Sequence, residues 1–149
     1  MARMSNLAVP RPVRAAVVVW LVAVGAGVAE TLVHLALPDP PGPAALLKRA
    51  VVSAGVVILV LALPEGRNIV RWTLAVLFGL LGIAVLVVEP ITWLAAGELP
   101  AGQLAVAVLR ALHLAALVVA LVLMFRPAAN AFFRSARRVT PASGAGVAS

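Results

Sequence analysis

Four apolar runs, each long enough to cross a lipid bilayer, constrain this chain more than any other feature of its sequence. A helix rises about 1.5 Å per residue, so roughly 20 apolar residues span a hydrocarbon core of about 30 Å. Such runs lie at 13–37, 44–63, 72–93 and 104–125. The sequence therefore predicts an all-α membrane protein, a four-transmembrane-helix bundle that forms a single domain over 1–139. Residues 140–149 are predicted to be a disordered tail.

The first run also has features of a signal peptide, because basic residues precede it and Gly27 and Ala29 are small. Cleavage there would leave three spans in a mature chain that begins at Glu30. However, the apolar run continues to Leu37, which is longer than the apolar core of an ordinary signal peptide. We therefore retain four spans.

The arginines predict how the bundle is oriented. The net charge is +7, and nine arginines flank the predicted spans so that four crossings place them all on one side: Arg3, Arg11, Arg14, Arg67, Arg71, Arg126, Arg134, Arg137 and Arg138. Cytoplasmic loops carry an excess of Lys and Arg, so both termini are predicted to be cytoplasmic. Because this basicity follows from topology, no nucleic-acid partner is expected.

Glu30, Arg49, Glu89 and Arg110 each lie inside a long apolar run. An ionisable group in hydrocarbon costs roughly 2.5–3.5 kcal/mol, so it needs a partner, a cavity or a function. Helix rise places all four within about 10 Å of the outer boundary. We expect the pairs Glu30–Arg49 and Glu89–Arg110, each within one hairpin. Such pairs are either structural clamps or part of a proton or ligand site.

Three further polar residues extend this set on the expected helix faces. The candidate polar cluster consists of Glu30, His34, Arg49, Ser53, Glu89, Arg110 and His113. His34 and His113 differ in predicted depth by about 10 Å, which argues against a shared metal ion. The chain contains no cysteine. We therefore predict no metal site, no cofactor and no catalytic residue.

The two predicted hairpins show an internal regularity. The positions of Arg14, Glu30 and Arg49 correspond to those of Arg71, Glu89 and Arg110 with slightly longer intervals. Such parallel repeats occur in membrane proteins. Topology alone places basic residues at the ends of any hairpin, so the duplication remains one of two interpretations.

The segment after the fourth run, Arg126–Val139, combines Phe132 and Phe133 with four arginines. This composition is typical of a juxtamembrane segment that binds anionic lipids, since each basic residue contributes about 1 kcal/mol near such a surface. Alternatively, these arginines only fix the topology.

Two segments carry a resemblance to a known group of proteins. The sequences GRNIVRW at 66–72 and LMFRPAANAFF at 123–133 resemble uncharacterised small four-span membrane proteins of actinobacteria. The resemblance implies the fold and a multi-pass location in the bacterial plasma membrane, and implies no activity. Gly27-Val28-Ala29-Glu30 is also similar to the helix-one glutamate motif of small multidrug exporters. Arg49 and Arg110 depart from that pattern, since they would compete with a cationic substrate.

Three classes of function follow from these features. The favoured hypothesis is a non-enzymatic accessory or interaction protein in the lipid bilayer, with a partner membrane protein or a second copy as its binding partner. The alternative is a small proton-coupled transporter or channel that uses Glu30. An intramembrane enzyme has the least support, because no catalytic set is recognisable.

Overall fold

The structure, a computed structural model, describes residues 8–96 and 103–139, and these ranges contain helices and short connections without any strand. The helices are α1 (Arg11–Leu35), α2 (Pro43–Ala62), α3 (Asn68–Thr73), α4 (Leu81–Ala96), α5 (Gln103–Met124) and α6 (Pro127–Val139). A 3₁₀ turn, Leu63–Glu65, follows α2. A π-helical segment, Leu74–Leu80, connects α3 directly to α4. We call α3, this π segment and α4 together the third span.

Four of these helices are long and apolar enough to cross a membrane: Arg11–Leu35, Pro43–Glu65, Asn68–Val88 and Leu104–Met124. The predicted all-α bundle with four spanning helices is thus confirmed. The third span begins at Asn68, ahead of the predicted start, and continues through Pro90 to Ala96. The predicted tail, 140–149, lies outside the described residues. The single domain, the orientation and the duplication stay predictions.

The centre of the bundle is the interface between the first and the last span. α1 and α5 pack along more of their length than any other pair of helices. Buried alanines on both helices make this possible: Ala16, Ala23 and Ala26 on α1, with Ala116 and Ala120 on α5. Small side chains let two helix backbones approach closely, which is how helices associate where water supplies no driving force.

One end of the bundle carries the exposed arginines at the start of α1, in the connection between α2 and α3, and after α5, and we call it the basic end. Here Gly66 turns the chain with φ of 74°, a left-handed conformation that favours glycine. α6 lies across this end, with Phe132 and Phe133 buried against the bundle. The apolar face of the predicted lipid-binding segment therefore packs on protein.

The opposite, distal end contains the connection between α1 and α2. In this half of the bundle α2 is loosely packed, because its buried residues, Val56 and Val60, both lie toward the basic end. α2 contacts the third span mainly through α3 and the π segment, and approaches α4 much less. Among the described residues, α2 and α4 thus leave a gap in the distal half.

Candidate functional site

The gap between α2 and α4 opens into a cavity of about 510 Å³ that is bordered by all four spans. Most of its wall is apolar: Trp20, Ala23, Val24 and Gly27 from α1; Val52 and Val56 from α2; Leu77, Phe78, Leu81, Gly82, Val85 and Leu86 from the third span; Leu117 from α5. Its polar wall consists of Glu30, Thr31, Lys48, Arg49, Ser53, Arg110 and His113. The cavity is therefore amphipathic.

A buried ion pair forms the deepest part of the polar wall. Arg110 donates from Nη2 to Oε1 of Glu30. Both side chains are buried within the α1–α5 interface. The expected pairing of Glu30 with Arg49 is wrong, because α1 packs most closely on α5 instead of on its hairpin partner α2. The second expected pair stays a prediction, since the side chain of Glu89 lies outside the described part of the chain.

Arg49 instead binds a neutral group. Its Nη1 donates to Oγ1 of Thr31 at 3.2 Å, and that hydroxyl donates in turn to the backbone oxygen of Gly27 at 2.9 Å. Lys48 precedes Arg49 on the cavity wall, and Ser53 lies one helical turn after it. The side of the cavity formed by α2 thus presents two cations and a hydroxyl.

Both histidines lie near the ion pair. Nε2 of His34 is 3.7 Å from Oε1 of Glu30, which is beyond hydrogen-bond distance. The His113 ring lies against Gly27, where an added Cβ would be 3.1 Å from its Cε1 atom. The buried Nδ1 of His113 has no hydrogen-bond partner among the described residues. Among the side chains that the structure describes, no three His, Asp or Glu residues are grouped as metal ligands.

The sequence therefore identified much of the polar wall but missed several of its parts. Glu30, Arg49, Ser53, Arg110 and His113 all border the cavity, and His34 lies beside Glu30. Thr31 and Lys48 were missed, although each directly follows or precedes a residue already selected. Leu77 and Phe78 were missed because nothing in the sequence marks the π-helical turn that carries them.

The local chemistry of the polar wall favours a negatively charged ligand. Lys48, Arg49 and Arg110 are cationic, whereas Glu30 is the single acidic residue among the described side chains of the wall. Glu30 is already bonded to Arg110. Of the described acidic side chains, none lies within ion-pair distance of Lys48 or Arg49. An anionic group could bind there without displacing a carboxylate.

No protein-family model, curated protein or solved structure matches this chain significantly. The resemblance to small actinobacterial membrane proteins consequently stays a prediction.

Proposed function

We propose that this chain is a non-enzymatic membrane protein that binds one anionic amphiphile between its spans. The amphipathic cavity is the observation that carries this proposal. Its volume of about 510 Å³ is within the range of small-molecule sites, roughly 300–1,000 Å³. A cationic region at one end and a long apolar wall match a molecule with a charged head and a hydrocarbon chain.

The geometry also explains why the ligand would be amphipathic rather than a small soluble anion. The apolar wall runs from the level of Glu30 to Trp20, ten residues earlier on α1, a distance of about 15 Å along a helix. A small anion would leave that wall facing empty space or water, whereas a hydrocarbon chain would restore the dispersion contacts of a packed interior.

A cavity-filling variant tests this proposal. Ser53→Phe places a ring in the cavity, and Val51→Phe places the same ring on the exposed face of α2, where Val51 is 62% exposed. The protein would be purified in maltoside detergent and its bound small molecules identified by mass spectrometry. We expect an anionic amphiphile with wild type and Val51→Phe, and its loss with Ser53→Phe. Equal amounts of the bound amphiphile in all three proteins would contradict the proposal.

Proton-coupled transport is the second candidate, because Glu30 is buried and borders the cavity as well. Ionisable residues inside membranes often belong to ion or proton pathways. Transport would require the contact between Glu30 and Arg110 to break in every cycle. Proton flux into proteoliposomes that is driven by an anionic amphiphile and abolished by Glu30→Gln would favour this candidate over binding alone.

The proposal places the protein in the bacterial plasma membrane, with the basic end on the cytoplasmic side. The exposed arginines at this end, among them Arg14, Arg67 and Arg134, support that orientation through the positive-inside rule. With its apolar face occupied by the bundle, α6 would contact anionic lipid headgroups through exposed basic residues such as Arg134.

A further inference from the structure

The α2 side of the cavity has the donors that a phosphate group requires. Arg49 offers a planar guanidinium, Lys48 a compact ammonium and Ser53 a hydroxyl, all within about one and a half turns of one helix. A carboxylate would be satisfied by the guanidinium alone, in a bidentate pair. A phosphate has three strong acceptor oxygens and can use all three donors at once.

The charges of the wall distinguish among phosphate-bearing heads. Lys48 and Arg49 contribute two positive charges to the polar wall, and no described acidic side chain lies within ion-pair distance of either. A phosphate monoester carries about −1.5 to −2 charges at neutral pH. A phosphate diester carries a single negative charge, and a phosphocholine head has no net charge. The monoester therefore neutralises the two positive charges of Lys48 and Arg49 most completely.

The position of the gap indicates how such a ligand would enter. α2 and α4 are the neighbours that pack least in the distal half, and Lys48 and Arg49 lie on α2 beside this gap. Lys48 is exposed and Arg49 is half-buried, so both side chains are accessible before a ligand is bound. A lipid-borne molecule could insert its chain sideways while its head stays at the level of the cations.

We infer that the ligand is a single-chain phosphate monoester, whose phosphate binds Lys48 and Arg49 and whose chain extends along the apolar wall to Trp20. This inference rests on the proposed function and narrows it to one class of head group. In the structure, Nη1 of Arg49 donates to the hydroxyl of Thr31. When the ligand binds, Nη1 donates to the phosphate instead. Lys48 and Arg49 thereby determine specificity, whereas Glu30 and Arg110 hold the wall in place.

Trp20 makes this inference testable, because it borders the cavity and is only 1% exposed. With Trp72 and Trp93 replaced by Phe, Trp20 is the single tryptophan of the chain. Bromine quenches indole fluorescence at short range, so a chain end that lies along the apolar wall would quench Trp20 although little of its ring is exposed. The probes are three long-chain molecules brominated near the chain end, with a phosphate monoester, a carboxylate or a phosphocholine head, titrated into the protein in maltoside micelles.

We expect the phosphate probe to quench Trp20 at concentrations at least tenfold below the other two. Lys48→Gln and Arg49→Gln should each weaken this quenching about tenfold, while Arg126→Gln, an equal charge change at the basic end, leaves it unchanged. Equal quenching by the carboxylate probe would overturn the phosphate assignment and leave the cavity as a site for anionic amphiphiles. Equal quenching by the phosphocholine probe would also overturn the anionic preference that the proposed function states. Absence of quenching by all three probes would overturn the proposed function itself.

A folding control accompanies each variant. Circular dichroism and elution from a sizing column would have to match those of the parent protein. Arg49→Lys provides a second measurement, because it keeps the charge but loses the bidentate geometry. Partial quenching with Arg49→Lys, between that of the parent and Arg49→Gln, is expected if Arg49 contacts the phosphate directly. Quenching equal to the parent's in both Arg49 variants would contradict such a contact.

Discussion

Arg110 donates a hydrogen bond to Glu30, a residue 80 positions earlier in the chain, and the two side chains are buried where the first and last spans meet. This bond joins the pair of helices with the most extensive interface in the bundle. It also holds one face of the cavity, since both residues border it. The same contact therefore serves the stability of the fold and the shape of the site.

Removing one partner of this ion pair should destabilise the protein strongly. Glu30→Leu removes the carboxylate to which Arg110 donates while the guanidinium stays buried, and removing one partner of a buried pair lowers the free energy of unfolding by about 3–5 kcal/mol. The double variant Glu30→Leu with Arg110→Leu should recover most of that loss, since apolar replacements of buried pairs are often neutral. Unfolding by denaturing detergent, followed by circular dichroism, measures both effects.

The exposed pair at the basic end is the control for this prediction. Nη1 of Arg67 lies 4.0 Å from Oε2 of Glu65, and both side chains are exposed. Glu65→Gln should change stability by less than about 1 kcal/mol. If Glu30→Leu lowered the free energy of unfolding as little as Glu65→Gln does, the pair of Glu30 and Arg110 would not stabilise the α1–α5 interface.

Gly27→Ala should destabilise the protein because of the contact between Gly27 and the His113 ring. An added Cβ would lie 3.1 Å from Cε1 of the His113 ring, so Gly27→Ala forces the ring to move. Such overpacking costs about 1–3 kcal/mol. Gly25→Ala on the same helix is the matched control, because a Cβ there meets no atom within 4 Å. The midpoint of thermal unfolding should fall for Gly27→Ala and not for Gly25→Ala. In the double variant of Gly27→Ala with His113→Ala, the decrease caused by Gly27→Ala should be smaller.

The four spans could be predicted from the sequence because hydrophobic length is a local property. Each run satisfies the thickness of the bilayer by itself, so no knowledge of helix packing was needed. The pairing of Glu30 could not be found in this way. The prediction chose Arg49 because it lies on the adjacent helix of the same hairpin, whereas the structure brings α5 against α1 instead.

A signal for that packing was nevertheless present in the sequence. Ala16 and Ala23 on α1, and Ala116 and Ala120 on α5, repeat at helical spacing and are buried in the structure. Matching small-residue faces on the first and last spans would have favoured the pair Glu30–Arg110. The cavity had no such signal, because it depends on how far α2 lies from α4, which is a property of the assembled bundle.

Arg71 should hold α6 on the basic end through its aromatic neighbours. It is 7% exposed, and its guanidinium carbon lies 4.1 Å from the ring centre of Phe125 and 5.1 Å from that of Phe133. Desolvated cation–π contacts contribute about 2 kcal/mol. Arg71→Met should therefore loosen α6 while the four spans remain folded. Trypsin cleavage at Arg134 should become severalfold faster, as measured by mass spectrometry of the released segment.

Arg14, an exposed arginine without these aromatic neighbours, provides the control for Arg71→Met. Arg14→Met removes an equal charge from an exposed position at the basic end. Its cleavage rate at Arg134 should equal that of the parent protein. Faster cleavage in both variants would mean that net charge, and not the contact of Arg71 with Phe133, retains α6.

The orientation of the bundle can be tested directly because the chain contains no cysteine. Ala36 is exposed at the distal end, and Ala131 is exposed on α6 at the basic end. Single variants Ala36→Cys and Ala131→Cys would be treated in intact spheroplasts with a maleimide that cannot cross membranes. If the basic end is cytoplasmic, as the positive-inside rule predicts, Ala36→Cys reacts at once and Ala131→Cys reacts only after lysis. The reverse pattern would place Lys48 and Arg49 near the cytoplasmic leaflet, so that a phosphate monoester would have to enter the cavity from that leaflet.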